Sequence, residues 1–167
     1  MNPMLNISID KITLNMGAGG PGEKLEKSKK LLEKVSGEKS VITKAHKRST
    51  FGVAKGRQIG VKVIIRGTKA EDLLKRVLEA SENKIQASQF DDHGNFSIGV
   101  HEYIDVPGIK YDPAIGIMGF DVAVTLKRAG YRVSKRRKKP AKIGKRHLIT
   151  REQAVEWIKE RMGTEVV

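Results

Sequence analysis

Isoleucine and leucine alternate with polar residues along Asn6 to Met16, but Ile7 and Ile9 fall on odd positions and Ile12 and Leu14 on even ones. Alternation of this kind predicts a half-buried strand, and the slip at Asp10-Lys11 predicts a β-bulge within it. After a turn at Gly17 to Gly22 the period changes. Leu25, Ser28, Leu31, Leu32 and Val35 recur at helical spacing between Glu23 and Ser36, and Gly37 is placed to end that helix as its C-cap residue. Thr68-x-x-Glu71 reads as a capping box that opens a second helix, with Leu73, Leu74, Val77 and Leu78 on one face and Lys75, Arg76, Glu79 and Glu82 on the other. Thr150-x-x-Gln153 reads the same way for a last helix, in which Val155, Ile158 and Met162 share a side and Trp157 packs at the edge.

Period two returns in Phe96, Ile98 and Val100, and again in Phe120, Val122, Val124 and Leu126. Two β-branched runs, Ser40 to Thr43 and Val61 to Ile65, predict a further pair of strands joined by a long, mobile loop rich in Gly, Lys and Arg. The stretch from Asp105 to Gly119, with two prolines, is expected to run over the surface. Four or five strands and three amphipathic helices predict an α+β fold: a largely antiparallel sheet with the helices on one face and a long basic hairpin loop. The other sheet face is left free to bind.

Charge sharpens this picture because it is segregated. Lys39 to Ala70 holds nine Lys and Arg, Val122 to Arg151 holds twelve, and neither window contains an acid. These windows carry 21 of the 33 basic residues and none of the 19 acids, so the remainder of the chain is net acidic. Concentrating one sign on part of the surface is the footprint of a polyanion binder, whereas charge for solubility is interspersed. Phe51 and Tyr131 stand beside the basic residues as candidate stacking rings, which fits RNA; no helix-turn-helix, zinc module or basic helix points to duplex DNA. With pI near 10.0, an anionic membrane surface is the other polyanion open in principle. The chain lacks cysteine, which excludes disulfides, thiolate zinc sites and cysteine nucleophiles and fits a reducing compartment. With no leader-like start and no apolar run of membrane-spanning length, a cytoplasmic location without membrane partners is expected.

Catalytic candidates are few. Gly17-x-Gly19-x-x-Gly22 follows a strand and precedes a helix as a dinucleotide fingerprint does, but the acidic residue that should hold the ribose is replaced by Thr43-Lys44, and Glu23 stands where a Walker lysine belongs. Its helix-start amides could instead hold an RNA phosphate. Asp91-Asp92-His93-Gly94 reads as a polar turn, and His101 has no second ligand at metal-site spacing. His46 and His147, set among Lys and Arg, are expected to meet phosphate. No cofactor is expected. A nucleotide-dependent enzyme using the glycine turn and an RNA chaperone without a fixed site remain the alternatives from other classes.

The runs Ile12 to Gly19, Val41 to Ala45, Ile59 to Val63 with Arg66-Gly67, and Asn95 to Gly99 through Pro107, Tyr111-Asp112 and Gly119 to Val122 together resemble the fifth family of large-subunit ribosomal proteins. Lys135 to Lys145, followed by His147 to Thr150 and Glu152 to Trp157, is similar to the archaeal and eukaryotic branch, and the composition leans to an archaeon. The resemblance implies a structural protein, not an enzyme: one 5S-rRNA-binding domain over 1–167, with a basic loop at 44–60 and a basic insert at 127–147. It implies 5S rRNA contacts at Asn15, Met16, Thr43, Lys44 and Arg66. A loop touching peptidyl-site tRNA would comprise His46, Lys47, Arg48, Ser49, Phe51, Lys55 and Arg57. A bridge to a protein of the small-subunit head would fall on Pro107, Lys110, Tyr111 and Asp112. Lys135, Arg136, Arg137, Lys138 and Lys139 are further candidates for large-subunit rRNA, and other proteins of the central protuberance are expected neighbours. Glu38 and Ile64 depart from the Gln and Thr common in bacterial relatives.

Overall fold

The parity slip at Asp10 sets the frame of the sheet. A computed structural model describes residues 2–48 and 52–167. Along the described chain the strands are β1 (Ile7–Gly17), β2 (Val41–Lys44), β3 (Gln58–Ile65), β4 (Lys84–Ile85), β5 (Phe96–Val100), β6 (Phe120–Arg128) and β7 (Glu165–Val166). Five of them form one antiparallel sheet in the order β2-β3-β1-β6-β5. Ile9 pairs with Leu126 and Lys11 with Thr125, which leaves Asp10 as the extra residue of the expected bulge. Because of it, Ile9 and Ile12 both point into the core although their parities differ.

The helices are α1 (Glu23–Ser36), α2 (Thr68–Ala80), α3 (Arg132–Lys135) and α4 (Arg151–Met162). α1 buries Leu25, Ser28, Leu31, Leu32 and Val35 against the sheet and ends at Gly37, whose φ of +67° suits a residue without a Cβ. α2 buries Ala70, Leu73, Leu74, Val77 and Leu78 on the same side. Each such leucine, fully withdrawn from water, contributes roughly 1.5–3 kcal/mol. α4 opens with the expected capping box: Thr150 Oγ1 accepts from the Gln153 amide, and Gln153 Oε1 accepts from the Thr150 amide at 3.3 Å. The indole of Trp157 donates to the carbonyl of Ile7 at 3.1 Å, fastening α4 to the start of β1.

Two expectations need correction. Thr68 is the first helical residue of α2 and not its cap; Gly67 holds the cap position, and no side chain closes the helix start. The stretch 105–119 does not simply cross the surface, because Val106 and Ile115 are buried and the Asp112 amide donates to the hydroxyl of buried Tyr103 at 2.9 Å. The two-residue strands β4 and β7, which pair in parallel, and the single turn α3 within the basic insert were not foreseen.

Candidate nucleic-acid interface

Since α1 and α2 cover one face of the sheet, the residues of opposite parity form an uncovered face. Register places Val41, Lys62, Asn15, Asp121 and Gly99 side by side across all five strands, and Ile64, Thr13, Ala123 and Ser97 in the adjacent row. Val41 is 58% exposed and Ile64 40%, so nothing in the described chain shields this face. Asp121 is the one acid in these rows. Gly60 sits opposite Gly17 and Thr43, and a Cβ there would lie 2.6 Å from the Met16 carbonyl oxygen, which explains the absence of a side chain.

Topology also explains the segregated charge. The β2–β3 hairpin projects from the Gly17 end of β1, whereas Arg128, near the start of the basic insert, pairs with Ile7 at the other end. Ten strand steps separate the two, about 33 Å at ~3.3 Å per residue. One sheet face is therefore bordered at both ends by acid-free basic segments.

Of the five residues that the resemblance points to for 5S rRNA, Asn15 and Thr43 lie on the open face, and Lys44 and Arg66 are exposed at strand ends. Met16 is different: it is 4% exposed and packs in the core, so its side chain is withheld from any partner on this face. In the hairpin loop His46, Lys47, Arg48, Lys55 and Arg57 are exposed, while Ser49 and Phe51 lie outside the described residues. The loop base is zipped by Ala45 N–H to Arg57 O at 2.9 Å and Gly56 N–H to Ala45 O at 2.8 Å. Arg57 folds back over the glycine turn, where a Cβ on Gly20 would meet its guanidinium at 3.5 Å.

That glycine turn is structural. The amides of Ala18 and Gly19 both donate to the Ile59 carbonyl, and β1 has antiparallel neighbours, so the parallel βαβ unit of a dinucleotide site is not formed. Asp91 shapes its turn, with Oδ1 accepting from the amides of His93 and Asn95 at 2.8 and 2.7 Å. Burial pushes its carboxyl up, but the hydrogen bonds from Asn95 and His93 outweigh this and hold it below its ordinary value. Among the described residues no group of three or more His, Asp and Glu gathers as a metal site.

The insert is fastened rather than loose. Arg128, only 6% exposed, donates to the carbonyls of His147 and Leu148 and to Gln153 Oε1 at 2.9 Å. The Tyr131 hydroxyl accepts from the Ile149 amide at 3.0 Å, and His147 Nε2 lies 2.8 Å from the Ala129 carbonyl. His147 and Tyr131 thus close the two ends of the insert on each other, ring edge to ring face at 5.9 Å, with the Tyr131 hydroxyl and one imidazole nitrogen of His147 engaged within the fold. Lys135 binds Asp10 at 2.7 Å, and Lys127 reaches the same carboxylate at 3.4 Å. Arg136 Nε donates to the Lys139 carbonyl at 2.8 Å, and Arg137, Lys138 and Lys139 point outward. Lys62, Lys127 and Arg132 are further basic residues on or beside the open face, and for Lys62 the sequence carries the signal, since it alternates with buried Val61 and Val63.

In the stretch 107–119, Lys34 Nζ donates to the Lys110 carbonyl at 3.2 Å and meets Asp112 Oδ2 at 3.4 Å, so Asp112 is engaged internally. Tyr111 and Ile117 are the exposed apolar groups there, and Pro107 is half-buried.

An uncovered sheet face bordered by basic segments, with its glycine and acidic motifs spent on turns, defines a polyanion-binding α+β protein. The chain belongs to the ribosomal protein L5 family: the family model "Ribosomal protein L5" matches residues 2–53, and that for the ribosomal L5P family C-terminus matches residues 58–157. The two matches meet within the β2–β3 hairpin, so the sheet runs across their boundary. The chain is 47% identical to the large ribosomal subunit protein uL5 of Sulfurisphaera tokodaii over 100% of its own length and 96% of that relative. It is 46% identical to uL5 of Nanoarchaeum equitans over 99% of both chains, and 42% identical to uL5 of Methanosphaera stadtmanae over 99% of both. It is therefore a structural protein of the large ribosomal subunit, archaeal in type, and not an enzyme; its place is the cytoplasmic ribosome. No described helix is long and apolar enough to cross a membrane.

Proposed function

We propose that the uncovered sheet face binds 5S rRNA and helps attach it in the central protuberance, next to other proteins of that region, and that the chain acts over 1–167 as one binding unit. The observation that carries this is the row Val41, Lys62, Asn15 and Asp121, open to solvent and bordered at both ends by basic segments. Thr43, Lys44 and Arg66 extend this contact along the strand ends. Phosphate contacts from the lysines and arginines would fix position, and the shape of the sheet would select the folded RNA.

The hairpin loop at 44–60 is assigned to peptidyl-site tRNA through His46, Lys47, Arg48, Lys55 and Arg57. Its exposure and its projection away from the insert support a partner distinct from that of the sheet. Exposed Tyr111 with Pro107 and Lys110, held in place through Asp112, is the surface proposed for the small-subunit head protein. Arg136 to Lys139, with Lys135, would meet large-subunit rRNA.

The test is affinity for cognate 5S rRNA against an unrelated folded RNA of equal length, across about 50–200 mM salt, where purely ionic contacts weaken steeply. Preference for 5S rRNA that survives at the higher salt supports the reading; parallel collapse on both RNAs refutes it. Replacing Lys47, Arg48, Lys55 and Arg57 by Ala should spare 5S binding and weaken tRNA contact, and equal loss of both would refute the division of labour.

A further inference from the structure

A cleft of about 560 Å³ opens where the start of the insert folds back over the first residues of β1, between Asn6, Ser8 and Asp10 on one side and Lys127 to Arg132 with Lys135 on the other. Three cations face it, Lys127, Arg132 and Lys135, against the single acid Asp10. Ser8 pairs with Lys127 in the β1–β6 ladder, and Lys127 follows Ala123 and Thr125 on the uncovered parity, so the cleft continues the open sheet face.

One feature marks the cleft as built to receive an anion: Asp10 answers only two of its cations, Lys127 and Lys135, which leaves a surplus of positive charge. Arg128 adds no grip here, because its side chain shares the parity of buried Val124 and Leu126 and donates to the carbonyls of His147 and Leu148 and to Gln153 Oε1 on the helix side of the sheet.

We infer that this cleft takes a backbone phosphate of ribosomal RNA, gripped by Lys127, Arg132 and Lys135, with Asp10 as the internal counter-ion that holds the two lysines in place before RNA arrives. The inference rests on the reading of the chain as an rRNA binder and adds a second grip at the far end of the same sheet face. Asn6 and Ser8 offer hydrogen-bonding side chains to the sugar or the phosphate. The exposed tip Arg137 to Lys139 then extends a contact that begins deeper in the fold.

The test pairs two double variants of equal charge change, Lys127→Gln with Arg132→Gln in the cleft and Lys24→Gln with Lys30→Gln on the outer face of α1. Each is titrated with deproteinised cognate large-subunit rRNA, 5S rRNA included, over a range of salt. The cleft variant is expected to bind about tenfold more weakly or worse, with a salt dependence reduced by about two released ions relative to wild type, while the α1 variant changes little. Equal loss in both variants overturns the inference. Amide NMR of the wild type titrated with inorganic phosphate separates the cleft from the rRNA reading: shifts at Ala129, Gly130 and Arg132 that vanish in the cleft variant support the site, and unmoved amides overturn it. Should the wild type show no preference for rRNA over an unrelated polyanion, the rRNA reading fails, whatever the amides report.

Discussion

Asp10 and Lys135 stand 125 positions apart in sequence and 2.7 Å apart in space. The bulge that removes Asp10 from the β-ladder turns its carboxylate toward the insert, where Lys127 also reaches it. Burial pushes this carboxyl up, but the hydrogen bonds and charges of Lys135 and Lys127 outweigh burial and hold it below its ordinary value near 3.8. A carboxyl lowered on folding stabilises the fold above the unfolded-state pKa, and the contribution is lost as pH falls through the lowered value. Asp10→Asn is therefore expected to cost about 0.5–1 kcal/mol at pH 7, since both lysines keep partial contact with water. The difference between the two proteins in urea titrations should shrink as pH falls below 3.8 and through the lowered value, and exchange of the Ala141 amide, bonded to Val133 O, should quicken in the variant at pH 7.

Tyr131 tests the other fastening of the insert. Its hydroxyl accepts from the Ile149 amide and donates to the His147 carbonyl, so Tyr131→Phe removes both bonds without removing the ring. The expected cost is about 1–2 kcal/mol in urea denaturation. An unchanged midpoint would mean that the insert does not rely on this bridge.

The bulge was legible because two isoleucines on opposite parities can face one core only if a residue is added between them. Its partner was not, since nothing local in a run such as Lys135 to Lys139 singles out the lysine that turns inward. Met16 shows a signal overridden: Ile12, Leu14 and Met16 share one parity, and period two alone places Met16 in the core, yet family resemblance assigned it to RNA. Thr68 shows a motif that marks a helix without fixing its first residue, because Gly67, at φ +73°, takes the cap position. Strands of two residues such as β4 and β7 are too short for any period, and their pairing joins segments 81 residues apart.

Gly94 offers a sharper test of packing. Its φ is +75°, and a Cβ there would lie 2.5 Å from Cγ2 of Ile149, a buried side chain on the approach to α4. Gly94→Ala must both strain the backbone and displace that core residue, so a loss of about 2 kcal/mol or more is expected. Melting of the variant within a degree of wild type would show that the turn and α4 are not tightly coupled.

Lys62 carries the functional argument for the sheet. It lies between Val41 and Asn15 in the row that crosses the open face, half-buried by neighbours yet on the parity opposite to Val61 and Val63. A lysine held in this way keeps its stem against the sheet and presents its ammonium outward, where a phosphate of 5S rRNA would be met with little further loss of side-chain freedom. Lys62→Ala is expected to weaken 5S rRNA binding several-fold near 150 mM salt and to lower the salt dependence by about one released ion, leaving tRNA contact by the hairpin loop unchanged. The reverse pattern, with 5S affinity retained and tRNA contact reduced, would move the 5S site off the sheet face and onto the basic segments at its ends.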